Sequence, residues 1–118
     1  MSGNKNTVRK YMDAYGRSAY ADVLACLTDD VEWIVPGAFH LHGKDAFHKE
    51  MHNDGFTGTP RITLTRLVEE DDVVVAEGTV QTTRRDGTAL SLVFCDVFVM
   101  QDARVKHLTS YLMEAKGT

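Results

Sequence analysis

The chain has 118 residues, enough for one domain over residues 1–118 with its own core. Hydrophobic residues make up 43% and charged residues 25%, a globular composition that excludes a disordered or fibrous chain. With 13 Lys and Arg against 17 Asp and Glu, the net charge is −4 and no basic run occurs, which argues against nucleic acid as a partner.

The first half reads as helices. Val8, Tyr11, Met12 and Tyr15 share one helical face. Gly16 is a stop and Ser18 a cap for a second helix, on which Ala19, Val23, Leu24 and Leu27 keep helical spacing. The triplet Thr28-Asp29-Asp30 breaks that pattern. Residues 31–35 then form a short strand that ends at the turn pair Pro36-Gly37. A loop over 38–43 leads to a third helix over 44–53, with Phe47 and Met51 four apart. Gly55, Gly58 and Pro60 mark a loop.

The second half reads as four antiparallel strands. On the first, Ile62, Leu64, Arg66 and Val68 alternate with Arg61, Thr63, Thr65 and Leu67. The segment from Asp71 to Thr83 is rich in Val and Thr, and Asp86-Gly87 is a hairpin signal. A long strand over 88–100 and a last one over 105–113 follow. Helices set before an antiparallel meander make an α+β layer fold, ordered ααβαββββ. A curved sheet wrapped by three helices forms a cone with a pocket at its mouth. The first strand is expected at the sheet edge.

One position breaks the long strand's pattern. Leu90, Leu92, Phe94, Asp96, Phe98 and Met100 share one face; Ala89, Ser91, Val93, Cys95, Val97 and Val99 share the other. The first face is bulkier and is expected inside. Asp96 then lies in a row of large apolar groups, where a charged carboxylate is costly and its pKa rises. A neutral acid there can donate a hydrogen bond or a proton. The competing reading pairs Asp96 with Arg66, Lys106 or a backbone N–H, or turns it outward on a bulge. Tyr11 beside Asp96 would give both groups a partner.

Four of the five histidines fall between residues 40 and 52. His48 and His52 are four apart on the third helix, but His-Lys-Glu-Met-His is not the H-E-x-x-H zinc motif. They fall on the flank of the Phe47–Met51 face, so surface histidines are expected, with no metal and no cofactor. Cys26 and Cys95 lie among apolar residues, far apart and without a CxxC pair, and are read as buried thiols. No apolar run approaches the ~18 residues of a membrane span, and the N-terminus lacks the apolar core of a secretory signal. A cytoplasmic protein with no membrane partner is expected.

Four segments together carry a resemblance: Val8–Tyr15, Leu27–Gly37, the helix start Gly43–Phe47, and Cys95–Tyr111. Over about Val8 to Met113 the chain resembles the nuclear transport factor 2-like superfamily, in particular its SnoaL-like and ketosteroid isomerase-like group. The resemblance implies a cystatin-like roll and a homodimer formed through the open sheet face; the face of Val93, Cys95, Val97 and Val99 is apolar enough to need cover. Ketosteroid isomerases hold an enolate oxygen with a Tyr on the first helix and a protonated Asp on the penultimate strand. Tyr11 and Asp96 fall at those two positions. Val35 falls where that group has its general base, and an isopropyl group takes no proton. His40, in the loop expected at the rim of the cone, is the candidate base. Tyr15, Trp33, Val35, Phe47, Met51, Phe94 and Phe98 are expected to line the pocket. The implied function is acid–base chemistry on a small hydrophobic carbonyl or hydroxyl compound: isomerisation, cyclisation or dehydration. The alternatives are a non-catalytic ligand-binding or association module, and a metal-assisted enzyme built on the histidines.

Overall fold

The computed structural model describes residues 3–52 and 56–115. Helix α1 (Gly3–Gly16) buries Val8, Tyr11, Met12 and Ala14. Its end corrects one expectation. Ser18 takes a left-handed φ of 55° and does not cap the next helix; the N-cap is Ala19, whose side chain makes no capping bond. The amides of Arg17, Ser18 and Ala19 return to the carbonyls of Asp13, Tyr15 and Ala14. Ser18 thus ends α1 in the way a C-terminal glycine usually does. Helix α2 (Tyr20–Ala25) is short, and β1 (Leu27–Val35) follows at once. Leu27 and the Thr28-Asp29-Asp30 triplet therefore belong to the strand. Leu27, Val31 and Trp33 are its buried residues.

Residues expected as a loop after Gly37 are in part strand β2 (Phe39–His42), which pairs antiparallel with β1. Helix α3 (Gly43–His52) then packs Phe47 and Met51 into the core. Asn53, the last residue of the expected helix, lies outside the described residues, as does Gly55. Strand β3 (Phe56–Glu70) includes Gly58 and Pro60, which were expected in a loop. Strands β4 (Val73–Arg84), β5 (Ala89–Gln101) and β6 (Arg104–Glu114) complete one open sheet in the order β2-β1-β6-β5-β4-β3. Only the β1–β6 pairing is parallel. The expected position of β1 at the edge is thereby corrected: β2 caps that edge and β1 lies inside it.

The β5–β6 turn uses two residues of positive φ, Asp102 (52°) and Ala103 (59°), matching the twist of its flanking strands. The pairing of β3 with β4 shifts register between Leu64 and Arg66. That bulge breaks the simple alternation read from the sequence. Ile62, Leu64 and Leu67 pack on the core, while Val68 is exposed. Gly78 lies opposite Leu64, and a Cβ there would collide with the Thr63 carbonyl and come within 2.8 Å of the Phe94 ring.

The three helices share one core with the inner face of the sheet. Trp33 stacks on Phe47 at 4.4 Å between centroids, and Tyr11 meets Phe98 edge-on at 5.4 Å. Along β5, Leu90, Phe94, Asp96, Phe98 and Met100 are buried, so the bulky face is the inner one, as expected.

Candidate active site

A cavity of about 110 Å³ opens between α1 and the inner face of β3, β4, β5 and β6. Tyr11, Met12 and Tyr15 line it from the helix, and Trp33 from β1. Pro60, Ile62, Val80, Leu92, Phe94 and Leu112 make most of the sheet-side wall. The polar groups there are Asp96 and Ser110, which face each other across β5 and β6.

Asp96 is 8% exposed. Burial among apolar side chains pushes its carboxyl up to about 7, against the weaker lowering effect of a hydrogen bond from Ser110. Trp33 sets the direction of that bond. Its indole Nε1–H can only donate, and it reaches Ser110 Oγ at 3.0 Å. That leaves the Ser110 hydroxyl hydrogen free to turn to the carboxylate. The two cations weighed as partners for Asp96 are engaged elsewhere: Arg66 with Glu77 at 3.3 Å, and Lys106 with Asp30 at 3.6 Å.

Tyr11 lines the same cavity. Its phenol is held well above its ordinary pKa, first by burial, then by the charges of Tyr15 and Asp96. It stays protonated and available as a donor. Asp96 takes its hydrogen bond from Ser110 and not from Tyr11, so the expected pairing is replaced by a relay from Trp33 through Ser110.

The other expected site residues divide. Tyr15, Trp33 and Phe94 line the cavity. Phe47, Met51 and Phe98 are fully packed core beneath it, and Val35 packs against that core without reaching the cavity. His40 does not line it either. In the β1–β2 register His40 is opposite Ile34 and Trp33 is opposite Leu41, so alternation puts His40 on the other face of the sheet from Trp33. Its Nε2 lies 3.1 Å from Glu32 Oε1, half exposed to solvent. The rim position assumed a loop; pairing in β2 turned the side chain outward.

The histidines form two groups. His40 and His42 surround Glu32, whose carboxyl is held below its usual range mainly by the hydrogen bond from His40. His48 and His52 meet Nε2 to Nε2 at 3.0 Å on the exposed flank of α3, beside Tyr20. Both cysteines are free, Cys26 buried and Cys95 half buried, and burial raises both thiols. No helix among the described residues is long and apolar enough to cross a membrane.

Met12, Ile62, Val80, Leu92, Ser110 and Leu112 belong to the cavity and were not singled out from sequence. Leu92 could have been, since it shares the face of Asp96. Ser110 needed the β5–β6 register to be placed.

An open mixed sheet behind three helices is the fold of the nuclear transport factor 2-like proteins to which the chain is similar. The match to the family model of the SnoaL-like domain covers residues 8–108, and the chain belongs to that family. A protein of unknown function of the same class from Burkholderia pseudomallei superposes with a TM-score of 0.87 at 24% identity, covering 96% of this chain and 92% of that one. An epoxide hydrolase from M. tuberculosis superposes with a TM-score of 0.82 at 17% identity, over 94% and 83%. A protein of ketosteroid isomerase-like fold from Catenulispora acidiphila gives 0.80 at 11% identity, over 89% and 83%. At these identities the likeness is one of fold. No curated protein matches the chain.

Proposed function

We propose that the chain is an enzyme that exchanges a proton between Asp96 and a small, mainly apolar molecule bearing a carbonyl or hydroxyl group. The reaction classes are isomerisation, cyclisation and dehydration. The observation that carries this reading is the buried carboxyl in an apolar cavity, with a pKa of about 7. Near neutral pH such a group is present in both forms. It can protonate an oxygen as the acid, or take a proton from an adjacent carbon as the carboxylate. A separate base at Val35 or His40 is then unnecessary. Tyr11 supplies a neutral donor to the same oxygen, and the relay through Ser110 steadies the carboxylate when it forms.

Size restricts the substrate. A dry cavity of ~150 Å³ accommodates benzene. At about 110 Å³ this one has room for a single small ring or a short chain. Family membership supports small-molecule chemistry. The epoxide hydrolase among the structural relatives is an instance of small-molecule chemistry on this fold.

The test uses cyclic ketones, with solvent deuterium entering the carbon beside the carbonyl as the readout. Wild type is expected to exchange faster than buffer. Asp96→Asn should keep the fold and lose the enhancement by about 10²–10⁴-fold. Exchange by Asp96→Asn at the wild-type rate would reject the role. A second reading is a ligand-binding module without catalysis. It is favoured by Asp96 being, among the described residues, the one carboxyl in the cavity lining, where acid–base enzymes often use two groups. Saturable binding of the ketones with exchange no faster than buffer would select it.

A further inference from the structure

On the outer face of the sheet, opposite the cavity, three ligating side chains converge. We propose that Glu32, His40 and His42 form a binding site for a divalent transition-metal ion of the zinc type. His40 Nε2 lies 3.1 Å and His42 Nδ1 3.2 Å from the same carboxylate oxygen, Oε1 of Glu32. All three donor atoms lie within 4.8 Å of one another. Ligands ~2.0–2.2 Å from a tetrahedral ion stand roughly 3.3–3.6 Å apart, so both nitrogen–oxygen separations lie within a few tenths of an ångström of coordination distance.

The backbone explains the convergence. Glu32 pairs with His42 across β1 and β2, and His40 is one pleat further along the same face. Alternation sends all three side chains to one side, where the two imidazoles stack at 4.7 Å between centroids. Across the β1–β6 pairing His107 is in register with Glu32, so the carboxylate is flanked by imidazoles from both neighbouring strands. None of the four has an apolar packing role that would account for the gathering. Two imidazoles and one carboxylate are a donor set for zinc, nickel, copper or cobalt, not for magnesium or calcium, which prefer all-oxygen sites. His40 and His42 are exposed, so an ion reaches the site directly, and three protein ligands leave one position for water.

The site is independent of the Asp96 chemistry, since a sheet separates them. Calorimetric titration of the tag-free protein with zinc is expected to give one ion per chain at this site. Substitution of cobalt should give the strong visible absorption of a four-coordinate ion. The double variant His40→Ala/His42→Ala and the near-isosteric Glu32→Gln should each weaken zinc at least about tenfold, with thermal midpoints reporting that the chain still folds. His48→Ala/His52→Ala should leave that affinity unchanged. No zinc binding tighter than ~100 µM, or zinc binding that survives the first two variants and is lost in the third, would overturn the proposal.

Discussion

At the scale of single residues, Asp96 departs most from what its surroundings favour. An acid on the inner face of a central strand is stable there only if it stays neutral or finds a cation, and among the described residues no cation is directed at it. Its neighbours instead provide one hydroxyl, held in place by the Trp33 indole. This has a consequence for stability. The folded-state pKa of about 7 lies above the ordinary carboxylate value, so the folded chain binds a proton that the unfolded chain has released. The contribution of Asp96 is fully present below about pH 4 and is lost as pH rises through 7. Between these limits wild type should lose up to ~1.4 kcal/mol of stability per pH unit relative to Asp96→Asn, read from urea denaturation at several pH values. Parallel curves for the two proteins would mean that the carboxyl is not buried as described. The inward turn of Asp96 was legible in the sequence, because side-chain bulk differs so clearly between the two faces of β5. Its partner was not, because cross-strand pairing with Ser110 depends on a register that no local pattern encodes.

At the scale of elements, the β3 bulge decides which side chains of that strand pack on the core. Ile62 and Leu64 face inward before it and Leu67 after it; an unbroken alternation would have buried Val68 instead. Gly78 makes room for this shift, with the Thr63 carbonyl and the Phe94 ring closing over its missing side chain. Gly78→Ala should therefore destabilise by about 1–3 kcal/mol, by thermal or urea unfolding, because the nearest obstacle is backbone and cannot rotate away. A neutral substitution would show that the strand yields there. The helices and the long strands were readable from periodicity. Strand β2 was not: four residues between a turn and a helix carry too little pattern, and their pairing with β1 is a tertiary event. That single omission is what placed His40 at the pocket rim when the pleat turns it away.

At the scale of the whole molecule, the two faces of the sheet divide the chemistry. The inner face closes with the helices around one small cavity. The outer face carries the ion-binding cluster at its β2 end and, along β5 and β6, exposed apolar groups including Val99, Tyr111 (51% exposed) and Met113 (68%). We propose that a second copy packs on that apolar stretch. Sedimentation should give twice the chain mass, and Tyr111→Lys/Met113→Glu should return it to one; a monomer in wild type would remove this expectation. Carbon-13 NMR of the Asp96 side-chain carboxyl, assigned by its loss in Asp96→Asn, measures the protonation of this buried group directly. The expected titration midpoint lies near pH 7. A midpoint near ~4, the value of a solvated aspartate, would contradict it.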